Sequence, residues 1–355
     1  MNNRYVFLTG ADLANLDARS QQASARYRIL LPGRVLRDQG LDVAVWSVHV
    51  KLNPSEIGPE DRVTVMQLKA DSKRVEDRRR LYVALAEAAR ARAACLRFDI
   101  SNYNENFDDL DRHIIALADV VSVPSEGLRD VLGAALGSDA ARKLAVIEDA
   151  YEMPHGALRF EPEQGQVRAL WFGFPSTEHF TALCEMIRTL EAQARVMIEL
   201  HLVSMPGLEI KCAEVLGPLS KVHLRLTPWS VEATQRALAA CDVVLLPGAM
   251  GASTLAKSHN RLVETLRSGR IALCAPLPAY RELADYCCVG DIAESLAWAL
   301  HNPHDVMSRI RAGQAYIETR FAPAAVAAKW ITLSDSLATK RGIQKPQANG
   351  SRFTG

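Results

Sequence analysis

Four side chains within eight positions carry chemistry worth following: Lys257, Asn260, Arg261 and Glu264, in Lys257-Ser-His-Asn-Arg-Leu-Val-Glu264. Spacings of four and then three predict that Lys257, Arg261 and Glu264 share one helical face. Neighbouring lysine and arginine side chains bind phosphate oxygens through charge-assisted hydrogen bonds, and unpaired backbone N–H groups at a helix start strengthen the same field. Asn260 stands in the same turn as a further nucleotide contact. A carboxylate one turn on is suited to a ribose diol. The alternative is a solvated face with an Arg261–Glu264 pair, which contributes little. Upstream, Val243 to Leu246 is continuously apolar, the mark of a buried strand, and Gly248-Ala-Met-Gly251-Ala-Ser is a loop of small residues. Strand, glycine loop and helix therefore have to position the cations.

Composition narrows the field. A chain of 355 residues is about two domains long. Its 42 lysines and arginines nearly cancel 41 aspartates and glutamates, which removes the strong field a nucleic-acid partner requires. The first apolar run, Tyr5-Val-Phe-Leu, is too short for a secretion signal, and no stretch is long enough to span a bilayer. The expected compartment is the cytoplasm, with peripheral membrane association left open. Seven scattered cysteines read as buried thiols, and the adjacent Cys287 and Cys288 lack metal-ligand spacing.

Tyr5 to Thr9, a polar loop, a helix from Ala23 to Gly40 kinked at Pro32, and Leu41 to Trp46 form a βαβ opening. Its loop lacks Gly-x-Gly-x-x-Gly, so no dinucleotide cofactor is expected. It does bring Arg26 and Arg28 near a strand's carboxyl end, where open α/β sheets bind ligands. Asp109-Leu110-Asp111 has the Asp-x-Asp form of a metal site but opens a helix, where acidic residues serve as caps. The wording Ala118-Asp-Val-Val-Ser-Val-Pro124 returns as Cys241-Asp-Val-Val-Leu-Leu-Pro247. Two such units predict two similar domains, residues 1–153 and 167–322, with the apolar-poor stretch 154–166 as linker.

The order Glu264-Thr-Leu-Arg-Ser-Gly269, Ile271-Ala-Leu-Cys-Ala275 and Pro276-Leu-Pro278-Ala-Tyr280-Arg-Glu282 resembles the nucleotide-sugar half of GT-B glycosyltransferases, in particular retaining, family-4-like members. Those often carry two glutamates eight residues apart; here Ala256 stands at the first position. The resemblance implies an α/β fold of two Rossmann-like domains facing a cleft, with a final helix, 323–338, packed back on the first domain and a loose tail, 340–355. It places Gly173, Ser176 and Thr177 at the donor diphosphate, Trp229 near the nucleobase, and Asp99 and Arg26 in catalysis. Arg28 and Asn102 fall on the acceptor side. The implied activity is metal-independent transfer of a hexose or related sugar from a nucleotide-sugar donor to a sugar, lipid-linked or protein acceptor, in assembly of a bacterial surface glycan or glycoconjugate, with no cofactor. Two rivals are a nucleotide-sugar epimerase of the same architecture and, because of Ala256, a non-catalytic nucleotide-sugar-binding scaffold.

Overall fold

The computed structural model describes residues 4–18, 20, 22–47, 53–68, 76–101, 103, 109–249, 251 and 255–340. The chain forms two compact units: Met1–Val123 with Gly133–Ile147 and Pro323–Gly355, and Pro124–Leu132 with Glu148–Ala322. The expected tail beyond residue 340, Asn102 and Asp108 lie outside the described residues. Among those described, no helix is long and apolar enough to cross a membrane.

The first unit is built on six parallel strands, β1 (Arg4–Thr9), β2 (Asp42–Ser47), β3 (Arg62–Met66), β4 (Cys95–Asp99), β5 (Val120–Val123) and β6 (Leu144–Val146), in the order β2-β1-β3-β4-β5-β6. A parallel sheet is covered on both faces, so its inner strands read as unbroken apolar runs. Val6, Phe7 and Leu8 are accordingly buried, whereas the edge strand β2 is half-buried along most of its length.

The helix after β1 changes its winding before Pro32. Ala23–Ala25 runs into a π-turn, Arg26–Leu30, and then into α1, Leu31–Asp38. The Leu31 N–H reaches back five residues to the Arg26 carbonyl. Proline has no N–H for the ordinary ladder, and the wider turn is one way a helix absorbs that loss.

The closing helix α4, Pro323–Lys340, belongs to this first unit. Arg97 on β4, 2 % exposed, lies under the Trp330 ring at 4.3 Å and donates to Ser334 Oγ at 2.8 Å and to the Trp330 carbonyl at 3.3 Å. Burial pushes its pKa down to about 10, so a charge is retained in the core and met by a π face and helix oxygens.

The second unit repeats the plan with β7 (Gln166–Phe172), β8 (Met197–Ser204), β9 (Val222–Pro228), β10 (Val243–Leu246), β11 (Ile271–Cys274) and β12 (Cys288–Val289), all parallel in the order β12-β11-β10-β7-β8-β9. In both sheets the first strand lies inside, and later strands are added on either side of it. The direction reverses between β1 and β3, and between β7 and β10. Loops leaving the carboxyl ends at such a reversal diverge and open a crevice. Two helices of this unit matter below: α2 (Thr177–Gln193) and α3 (Asn260–Arg267).

The stretch 154–166, expected as a linker, is laid along the second unit. Gly156 N–H donates to Arg267 O and Arg159 N–H to Gly269 O, each at 3.1 Å, and Gln314 Nε2 donates to Gly156 O at 2.8 Å. Buried Arg270 collects the carbonyls of Ala157, Ser268, Gly269, Ala239 and Cys241. Few apolar residues are needed where backbone polar groups make the contact. A Cβ on Gly156 would stand 2.3 Å from Ser268 O, whereas one on Gly58 meets nothing within 4 Å. Gly156→Ala is therefore expected to destabilise the chain by about 1–3 kcal/mol and Gly58→Ala by under about 0.5 kcal/mol, as read from urea denaturation midpoints.

Candidate functional site

The reversal between β7 and β10 gathers the expected donor residues of the second unit. β7 ends at Phe172, and Gly173 follows at φ +128°, a left-handed conformation that favours glycine. Its N–H donates to Val203 O at 3.0 Å and its carbonyl accepts from Ser204 Oγ at 2.7 Å. A Cβ on it would lie 3.9 Å from Cδ of Arg261. Ser176 is the N-cap of α2: Oγ accepts the His179 N–H and lies 2.6 Å from His179 Nδ1. Thr177 opens the helix and is exposed. From the other side of the reversal, Gly251 comes close enough that a Cβ would stand 3.3 Å from Glu178 Oε2.

Lys257 is not on a helix. α3 starts at Asn260, so the single helical face predicted for Lys257, Arg261 and Glu264 holds only for the last two, and Lys257 arrives from the turn before them. The N-cap of α3, His259, makes no side-chain capping bond, which leaves the first-turn N–H groups beside both cations without a capping side chain.

Electrostatics ties these pieces together. Burial lowers the pKa of Lys257, Arg261 lowers it further, and Glu178 partly offsets both. Burial, Arg261 and Lys257 push His179 down to about 4, against a smaller opposing effect of Glu178. Tyr280 is buried, which raises its hydroxyl, and it hydrogen-bonds Arg261. Among the described residues, neither Lys257 nor Arg261 is ion-paired with a carboxylate. Two half-buried cations that repel each other are an unfavourable arrangement unless an anion joins them. Beside them, Trp229 packs its half-buried ring 5.4 Å from Phe174, which is 55 % exposed.

Other expected residues are used elsewhere. Glu264 is 2 % exposed, and its two oxygens accept the N–H groups of Glu152 and Met153 at 2.8 and 2.9 Å. It clamps the 152–153 backbone, and the ribose contact expected of it gains no support from this geometry. Asp99 and Arg28, expected as catalytic base or sugar contact and as acceptor contact, form a buried bidentate pair at 3.0 and 2.5 Å, with 0 % and 1 % exposure. Ser122 Oγ donates to Asp99 and Arg28 Nη1 to Ile147 O. Side chains so enclosed cannot meet a substrate, and the pair is a core fastening. Arg26, 9 % exposed on the π-turn, donates to Ser20 O at 3.2 Å and lies over Tyr27 at 5.5 Å. Asp111 of the Asp-x-Asp stretch is buried at 1 %.

Sequence reasoning missed His179, Phe174 and the His259–Glu282 contact at 3.0 Å. The only early sign of His179 is its place three residues after the capping serine.

No family profile matches the sequence, and no curated protein matches it. Solved structures do. The chain superposes on the UDP-forming α,α-trehalose-phosphate synthase of Burkholderia vietnamiensis with TM-score 0.64 over 97 % of this chain and 99 % of that one, at 10 % identity. The lipopolysaccharide outer core galactosyltransferase WaaB gives 0.59 over 94 % and 99 %, at 12 % identity. The fold is GT-B. TarM gives 0.59 at 13 % identity, covering 78 % of this chain but 55 % of TarM, so the chain spans about half of that GT-B protein's length. Identities this low carry the fold alone.

The pairing of Asp99 with Arg28 predicts that Asp99→Ala loses about 3–5 kcal/mol of stability, because an uncompensated buried guanidinium remains. Denaturant titration checks it, and native-like stability would return Asp99 to the list of site residues.

Proposed function

We propose that the chain is a glycosyltransferase whose second unit binds a nucleotide-sugar donor at the carboxyl ends of β7 and β10. The observation that carries this reading is the cation pair at the sheet's reversal, Lys257 and Arg261, neither of which is ion-paired with a carboxylate among the described residues. A diphosphate there would meet both cations, the N–H groups opening α2 and α3, and the glycine backbone at Gly173. Asn260, Ser176 and Thr177 stand on those same two helix starts. Trp229 and Phe174 offer an aromatic platform for the nucleobase.

The chemistry follows from where charge develops. As the bond between anomeric carbon and diphosphate oxygen breaks, negative charge grows on the leaving diphosphate. Fixed cations and helix N–H groups stabilise that charge, and they do so without a metal ion. In the first unit, with Asp99 and Arg28 spent on each other, Arg26 remains as the catalytic candidate.

Support for the donor class comes from the neighbours' own descriptions: TarM of S. aureus was crystallised with UDP, and the trehalose-phosphate synthase is UDP-forming. The acceptor we infer is a glycan under assembly, as the description of WaaB indicates for that protein.

Calorimetry of the full chain with UDP, ADP and GDP tests the site. Lys257→Met and Arg261→Met are each expected to weaken nucleoside-diphosphate binding about ten- to a hundredfold while leaving nucleoside binding unchanged. The empty Lys257→Met variant should be as stable as the parent or more so, since it loses a repelled, desolvated charge, whereas Arg261→Met also removes a partner of the buried Tyr280 hydroxyl and should lose about 1–3 kcal/mol. Unchanged dissociation constants in both would overturn the assignment. Incubation with nucleotide sugars, with and without glycan acceptors, separates transfer from epimerisation, which proceeds without an acceptor.

A further inference from the structure

We propose that His179 supplies a third positive charge to the phosphate site only when the site is full, taking up a proton as a doubly charged diphosphate enters and returning it as the site empties. The inference rests on the nucleotide-sugar reading above and adds a selection rule to it.

The imidazole sits in the first turn of α2, 8 % exposed, with Nδ1 2.6 Å from Ser176 Oγ. A hydroxyl donates or accepts by rotating, so the ring can change protonation state without giving up this bond. The charged groups acting on it come from three places: Lys257 from the turn after β10, Arg261 from α3, and Glu178 from its own helix. In the empty site burial and the two cations hold the ring neutral. A pyrophosphate bridge brings two negative charges among those same cations and reverses the local field. The proton that then binds comes from solvent, and no other bond is made or broken.

The sign of the linkage follows. The ring binds a proton more tightly when the site is filled, so affinity rises as pH falls through the filled-state pKa and levels off below the empty-state value of about 4. A neutral nucleoside induces no such uptake. The site thus favours ligands carrying two phosphate charges beyond what Lys257 and Arg261 achieve alone.

The test is a proton count. Isothermal titration of the full chain near neutral pH with UDP-glucose, ADP-glucose and GDP-mannose, whose pyrophosphate diesters do not themselves titrate there, is run in two buffers of different ionisation enthalpy. The parent chain is expected to take up a fraction of a proton, up to one, with affinity falling by up to about tenfold per pH unit as pH rises between the empty-state and filled-state pKa values and levelling off above the latter. His179→Gln should bind with no uptake and a flat pH profile, and Glu178→Gln should keep the uptake. Binding to the parent chain without uptake overturns the proposal whether or not the variant folds. Uptake that persists in His179→Gln, or vanishes in Glu178→Gln, overturns it as well. No binding of any of the three nucleotide sugars would instead remove the donor reading, and this inference with it.

Discussion

A parallel sheet covered on both faces leaves its chemistry one main outlet, the edge where its strands end. Both units obey this constraint. Ala169 to Phe172 of β7 and Val243 to Leu246 of β10 are apolar because nothing polar in those positions would find water, and beyond these runs polar side chains and glycines appear where the strands stop. Gly173 and Gly251 sit at these ends: Gly173 takes a left-handed conformation with Arg261 beside it, and a side chain on Gly251 would crowd Glu178.

Three guanidiniums that enter the interior are met by close geometry. Arg28 meets Asp99 and a backbone carbonyl, Arg97 meets an indole face and two helix oxygens, and Arg270 is held by five carbonyls with no carboxylate in hydrogen-bond contact. Against these, Lys257 and Arg261 stand out. They are instead two half-buried cations that repel each other, the feature on which the proposed donor site rests.

The strands and the two-sheet plan were legible from apolar runs, and Lys257, Arg261, Gly173 and Ser176 were legible as site candidates from their types and places. What was not legible depends on contacts distant in sequence. Asp99 at a strand end looks like a reactive carboxylate until its partner, 71 residues earlier, is brought to it. Glu264 carries a familiar spacing, yet its oxygens are claimed by N–H groups more than a hundred residues away. Residues 154–166 have the composition of a linker because hydrogen bonds from a backbone leave no trace in side-chain type. Lys257 was assigned to a helix by periodicity, which cannot see that the helix begins three residues later.

The helix Pro323–Lys340 completes the unit that the chain begins with. During synthesis the ribosome delivers β1 to β6 long before the segment bearing Trp330 and Ser334. Until then, the face of β4 that carries Arg97 has neither its ring nor its hydroxyl. The second unit, whose own sequence is finished at Ala322, can close first. The amino-terminal unit must therefore wait in a partly uncovered, aggregation-exposed state until the segment 323–340 has been translated.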